Sequence, residues 1–133
     1  MFLLNLTNQE KHLFLDLEIY LSMIDGEFND AEKHMIDLHA MEMRVDRNHY
    51  TPEKPVGEVR SLIKHLDNRT KRKFFFELLA TVMSDGIYTL DEQKLIESIA
   101  VLFDLGKEET EDVLNTISML KSGYEKALSF IEG

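Results

Sequence analysis

The chain has 133 residues, a formal charge of −10 and no cysteine. The length suits one domain with a real core, and the missing thiols exclude a disulfide frame, a thiolate metal centre and a cysteine nucleophile while fitting a cytoplasmic location. Strong acidity argues against general nucleic-acid binding, which needs a basic footprint, and suits either solubility or cation binding.

The opening Met1-Phe-Leu-Leu-Asn-Leu6 is apolar but short and has no basic leader, so a secretory signal is not expected. No stretch reaches the apolar length of a membrane span. Thr7 and Glu10 form a capping box that starts a first helix, with Leu13, Phe14, Leu17, Leu21 and Ile24 at helical spacing until Gly26. Asn29 and Glu32 open a second helix with Met35, Ile36, His39 or Ala40, and Met43 inward. Residues 46–54 form a loop. Pro55 suits the first turn of a third helix, with Val59, Leu62, Ile63 and Leu66 inward.

Thr70 is expected to cap a fourth helix carrying Phe74, Phe75, Leu78, Leu79, Val82 and Met83. Thr89 and Glu92 cap a fifth, with Leu95, Ile96, Ile99, Leu102 and Phe103, and Gly106 is expected to end it. A sixth spans about 107–121 with Val113, Leu114, Ile117 and Leu120 inward, and Gly123 sets off a short last helix with Leu128 and Ile131. The fold expected is all-α, about seven helices in a single domain, 1–133.

The chain repeats itself at an offset of sixty residues. Met23, Asp25, Gly26, Glu32, Ile36 and Ala40 meet identical residues at Met83, Asp85, Gly86, Glu92, Ile96 and Ala100. Leu15 with Phe75, Ile19 with Leu79, Phe28 with Tyr88 and Met43 with Phe103 agree in kind, so the repeat runs over 15–43 and 75–103. The chain therefore reads as a duplicated helical hairpin, each copy turning at an Asp-Gly corner.

Two readings of the corner stay open. Laid over a calcium EF-hand loop, Asp25, Gly26, Phe28 and Glu32 take its fifth, sixth, eighth and twelfth positions, as do Asp85, Gly86, Tyr88 and Glu92. The first and third positions, which should supply oxygen ligands, are Leu21 and Met23 in one copy and Thr81 and Met83 in the other. Neither copy is a self-sufficient EF-hand. As plain structure, glycine ends one helix while Asn29 or Thr89 caps the next. That leaves Asp25 and Asp85 at the negative end of a helix dipole, a cost of roughly 0.3–1 kcal/mol that amide donors or a cation would offset. If the hairpins pack about a pseudo-twofold, Asp25, Glu32, Asp85 and Glu92 converge as hard oxygen ligands suited to Ca, Mg or Mn.

The doubled corner resembles that of the tellurite-resistance TerB-like domains. Ile24-Asp-Gly-Glu-Phe-Asn-Asp-Ala-Glu32 and Ser84-Asp-Gly-Ile-Tyr-Thr-Leu-Asp-Glu92 look like its two copies, and Leu102-Phe-Asp-Leu-Gly-Lys-Glu-Glu109 is similar to the lead into its last helices. The resemblance covers roughly residues 10–120. It departs where Ile24 and Ser84 replace the usual Ala before Asp-Gly, and where Ile87 stands in place of Glu27. It implies an all-helical fold, a stress-response and membrane-proximal context, and an acidic face implicated in divalent-metal binding, but no defined activity.

Residues 55–73 carry a net +4 against −6 before them and −8 after. Arg69, Lys71, Arg72 and Lys73 thus form a basic island for peripheral contact with an anionic membrane surface or an acidic partner, or simply a solvated surface. The five histidines form no His-Glu-x-x-His or Glu-x-x-His pair and read as surface or partly packed. No nucleophile elbow, P-loop or dinucleotide fingerprint occurs. The expectation is a non-enzymatic binding or regulatory module with a protein partner or self-association. It either binds a divalent cation at its corners or is a metal-independent scaffold whose corners only cap helices.

Overall fold

The computed structural model describes residues 1–24, 29–47, 49–83 and 89–133. Among them the chain forms six helices and no strand: α1 (Asn8–Met23), α2 (Asp30–Met43), α3 (Val56–Lys64), α4 (Asn68–Val82), α5 (Leu90–Leu102) and α6 (Lys107–Glu132). They fall into two compact units, Met1–Leu78 and Leu79–Gly133. No described helix is long and apolar enough to cross a membrane.

In the first unit, α1 begins where the capping box places it. The Glu10 N–H donates to Thr7 Oγ1 at 3.1 Å and the Thr7 N–H donates to Glu10 Oε1 at 2.8 Å, satisfying two of the amides a helix start leaves orphaned. Every residue from Leu13 to Ile19 is buried, so α1 is enclosed on all sides rather than along one stripe. It packs against α2 and α3, and Phe74 of α4 meets Phe14 edge-on with ring centroids 5.1 Å apart.

The end of α2 departs from the usual glycine stop. Arg44 takes the left-handed conformation (φ 57°, ψ 42°), its N–H bonded to the Met41 carbonyl at 3.1 Å, while the Val45 N–H reaches the Ala40 carbonyl at 2.9 Å. At the start of α4 the cap is Asp67, not Thr70. Asp67 accepts from the Thr70 N–H at 2.8 Å and from its hydroxyl at 3.2 Å. A carboxylate beats a hydroxyl there because it complements the helix dipole as well as the free amide, and the Thr70 N–H bond holds the Asp67 carboxyl below its ordinary value.

In the second unit, Thr89 caps α5 by accepting the Glu92 N–H at 3.1 Å. Gly106 is not the terminator expected of it. Asp104 takes the left-handed position (φ 55°), with its N–H on the Val101 carbonyl at 3.1 Å and the Leu105 N–H on the Ala100 carbonyl at 2.9 Å. Gly106 is extended and stands as the N-cap of α6. Arg44 and Asp104 lie sixty residues apart and close their helices with the same pair of hydrogen bonds at the same lengths.

The break and seventh helix expected at Gly123 are absent, since α6 runs through that glycine for 26 residues. One glycine costs a helix about 1 kcal/mol. Neither a proline nor a cap follows it, and Lys121, Glu125, Lys126, Ala127 and Leu128 around it are good helix formers. Of the side chains expected to face inward, Val113, Leu114 and Ile117 are half-buried, whereas Leu120 is 45 % exposed. Leu128 and Ile131, expected on the separate last helix, are 36 and 74 % exposed, as is Tyr124 at 67 %.

Candidate functional site

Of the four carboxylates proposed as cation ligands, Asp25 and Asp85 lie outside the described residues, as do Gly26, Phe28, Gly86 and Tyr88. Glu32 and Glu92 stand in the first turns of α2 and α5. The Glu32 N–H donates to Asn29 Oδ1 at 2.8 Å, and its carboxylate accepts the Asn29 N–H at 3.4 Å, the long limb of a complete capping box. Among the described residues no group of three or more His, Asp or Glu side chains is placed to hold a metal ion. In the basic island Arg69 and Arg72 are exposed, while Lys71 and Lys73 are half-buried.

The concentration of chemistry in the first unit lies elsewhere, in charges buried between α1, α2 and α4. Glu18 of α1 and His39 of α2 are almost fully buried, and His39 Nδ1 lies 2.5 Å from Glu18 Oε2. With the carboxylate ionised, that nitrogen must carry the proton. On the far side of the ring, His39 Nε2 is 3.8 Å from Glu77 Oε2 of α4, too far for a hydrogen bond and close enough for charge attraction. The Phe14 ring stands edge-on to the imidazole, centroids 5.4 Å apart. Glu18 Oε1 is buried with no hydrogen-bond partner among the described residues.

Carboxylates also gather the N-terminal segment. Glu77 Oε1 accepts the Phe2 N–H at 2.7 Å, Glu42 Oε2 accepts the Leu3 N–H at 3.0 Å, and the Met1 amino group lies 2.6 Å from Glu42 and 2.8 Å from Glu77. Burial opposes charge on Glu42, yet these bonds hold its carboxyl below the ordinary value. Burial pushes the Glu18 carboxyl up, an effect its bond to His39 only partly offsets and the charge of Glu77 reinforces. Burial also disfavours the His39 imidazolium, but the bond and charge of Glu18, with the charges of Glu77 and Glu42, keep its pKa above that of a free histidine. The pair therefore keeps hold of a proton.

A second buried pair ties down the loop after α2. Arg47 Nη2 donates to Asp16 Oδ1 at 2.5 Å, and Asp16 also accepts the backbone N–H groups of Glu53 (2.9 Å) and Lys54 (3.1 Å). One turn along α1, the Tyr20 hydroxyl donates to the Lys54 carbonyl at 2.7 Å. These contacts position backbone rather than present reactive groups.

Sequence reasoning passes over Asp16 and Glu18 because it assigns charged side chains to solvent, and it offers His39 an inward place only as an alternative to Ala40, whereas both are buried. The signal was available: in Leu13-Phe-Leu-Asp-Leu-Glu-Ile-Tyr-Leu21 apolar residues occupy every face of the helix, leaving the two carboxylates no solvent side. At the sixty-residue offset Glu18, His39 and Glu42 correspond to Leu78, Ile99 and Leu102, so the second half of the repeat supplies Glu77 to this cluster but does not reproduce it.

In the second unit, a groove of about 390 Å³ lies between α5 and α6, lined by apolar Ile96, Ala100 and Leu114 and charged Glu97, Lys107 and Glu111. Beyond it α6 continues with the exposed stripe of Leu120, Tyr124, Leu128 and Ile131. Comparison with protein-family profiles, with curated proteins and with solved structures finds no match for the chain.

Proposed function

We propose that the chain is a non-enzymatic helical interaction module whose working surface is the apolar stripe of α6. The observation that carries this is the exposure of residues with the spacing of a buried helix face. A helical apolar stripe is normally covered, and a contiguous exposed one marks an interaction site. The TerB-like duplicated-hairpin reading is supported by the matched helix ends at Arg44 and Asp104 and the matched caps at Asn29 and Thr89. The buried Glu18, His39 and Glu77 act as an internal clamp rather than as catalysts, since they are walled off from solvent. A photo-reactive phenylalanine analogue in place of Leu120, in the full chain inside its host cell, should form protein adducts on irradiation, and the same group in place of Ser122 should not. Equal or absent adducts at both positions would remove this reading.

Weak divalent-cation binding at the corners is the second reading, resting on the repeated Asp-Gly-x-x-x-x-x-Glu of residues 25–32 and 85–92. It predicts saturable amide shifts confined to the corners when Ca, Mg or Mn is titrated, abolished in Asp25→Asn with Asp85→Asn. Shifts that persist in that double variant would reject it.

A further inference from the structure

Residues 1–6 are held against α4 with most of their apolar side chains outward. Leu3 is fully buried and Leu6 nearly so, and the Phe2 and Leu3 N–H groups are fixed on Glu77 and Glu42. Met1, Phe2 and Leu4, around that anchor, are 66, 46 and 49 % exposed. The Phe2 ring stands edge-on to Phe76 of α4, centroids 5.3 Å apart, and adds a second apolar layer outside the helix. Burial within the chain thus accounts for Leu3 and Leu6, for half of Phe2, and for little of Met1 or Leu4.

The helix under this segment is the one strongly basic element. Arg69, Arg72, Lys73 and Phe76 stand at i, i+3, i+4 and i+7, the spacing of one helix face. Burial agrees, since Arg69 and Arg72 are exposed and Lys73 and Phe76 half-buried, while Thr70, Phe74, Phe75 and Glu77 are buried. Glu77 is the only acidic residue of Asn68–Val82, and its carboxylate faces inward to the N-terminal segment. Apart from the cap Asp67, the outer face of α4 is therefore positive over about 10 Å, at 1.5 Å per residue, and ends at the Phe76–Phe2 pair.

We propose that this face docks on an anionic lipid bilayer, with Phe2, Leu4 and Met1 entering the interfacial layer while Arg69, Arg72 and Lys73 lie at the level of the lipid phosphates. Adjacent basic and protruding apolar side chains are what such a surface binds. An acidic peptide would satisfy the charges alone: a raised apolar ridge gives a peptide's side chains no groove to enter, whereas a bilayer admits the ridge itself. The field of the bilayer fades within about 10 Å at 0.1 M salt, so the charges that touch it count most, and the overall −10 of the chain weakens the contact without forbidding it.

Three charges worth about fivefold each, with three partly exposed apolar side chains, give an apparent Kd on the order of 0.1 mM in lipid, comparable with one myristoyl chain. The contact is reversible and should loosen as salt rises.

The chain has no tryptophan, so Phe2→Trp in the full chain supplies a single reporter at the tip of the ridge. Its emission should shift to the blue on vesicles of phosphatidylcholine with about one third phosphatidylserine and stay unchanged on phosphatidylcholine alone. Co-sedimentation with the mixed vesicles should show Arg69→Gln with Lys73→Gln weakening the binding about 25-fold, and Phe2→Ser about fivefold. Lys94→Gln with Lys121→Gln makes the same change of charge away from α4 and should alter it less than about twofold. No binding at about 5 mM lipid overturns the proposal, as do equal losses from the two lysine-bearing pairs or binding without a shift in the Phe2→Trp emission. A chain that ignores vesicles but binds polyglutamate through Arg69 and Lys73 assigns the face to an acidic protein, and the lipid contact falls.

Discussion

Replacing His39 by leucine should make the fold lose stability more steeply as pH rises. Among the described residues, His39 Nδ1 is the hydrogen-bond partner of the Glu18 carboxylate, and its second oxygen has none. Without the imidazole, a carboxylate only 2 % exposed is left unpaired, which costs about 3–5 kcal/mol. Protonation sets a ceiling: from an unfolded pKa of about 4.3, neutralising a carboxyl costs roughly 3.7 kcal/mol at pH 7 and about 1 kcal/mol at pH 5. The loss should therefore grow with pH by up to about 1.4 kcal/mol per unit, since the folded variant holds a proton that the unfolded chain releases. In the natural chain both shifts are upward. The Glu18 contribution is fully present below about pH 4.5 and declines above it. The His39 contribution is fully present below about pH 6.5 and is lost as pH rises through its raised folded value. Both slopes run downward with pH, and the variant should be the steeper of the two between pH 5 and 7. Urea unfolding across pH 5–9, followed by the ¹⁹F signal of a fluorophenylalanine at Phe14 beside the His39 ring, measures this for the first unit. Pairing His39→Leu with Glu18→Leu should recover most of the loss and flatten the slope. A loss equal at pH 5 and pH 7, or one that the double variant does not relieve, would refute the buried-pair argument.

Arg47→Met should cost about 3–5 kcal/mol by stranding Asp16, which is 1 % exposed, whereas Tyr20→Phe, losing one bond to the Lys54 carbonyl, should cost about 1 kcal/mol; equal costs in urea unfolding would contradict the assignment. Arg44→Gly and Asp104→Gly should each raise stability by about 0.5–1 kcal/mol, because both residues hold a left-handed conformation that glycine adopts freely. A fall in the midpoint for either would show that its side chain makes a contact worth more than the strain. Asn29→Ala and Thr89→Ala should each cost about 1 kcal/mol through the lost caps, and amide exchange in the first turns of α2 and α5 should quicken; unchanged protection would mean the caps are redundant.

The helix starts were legible because a cap is local: Thr7 with Glu10 and Asn29 with Glu32 make in space the bonds that three-residue spacing predicts. The cores were legible through periodicity, and Leu13, Phe14, Ile36, Met43, Val59, Ile63, Phe74 and Ile96 are all buried. Helix ends were harder. Gly106 invites a stop, but the stop falls two residues earlier, at Asp104, where the Leu105 N–H can reach back to Ala100; a short polar side chain tolerates that conformation too. The buried charges were the larger omission, since pattern reading asks which residues are apolar and not whether a polar residue has any solvent side left. The α6 stripe shows the converse: its spacing reveals a face that needs covering and is silent on what covers it.

The contrast between the halves of the repeat bears on how each is used. Where the first half places Glu18, His39 and Glu42, the second has Leu78, Ile99 and Leu102. The fold of the repeat therefore does not require the charges, and burying them yields little stability that well-packed hydrocarbon would not supply. What a buried pair adds is direction: Glu18 and His39 satisfy one another only when α1 and α2 sit in one register, and Glu77 and Asp16 draw in the N-terminal segment and the 47–54 loop. Apolar contacts, lacking that directionality, tolerate sliding and exchange of partner. The first unit thus has its packing specified from within, while α6 of the second carries apolar surface beyond its own core. The contrast predicts that substituting Glu18 and His39 by leucine together should loosen amide protection in α1 while leaving the photo-adducts at position 120 unchanged.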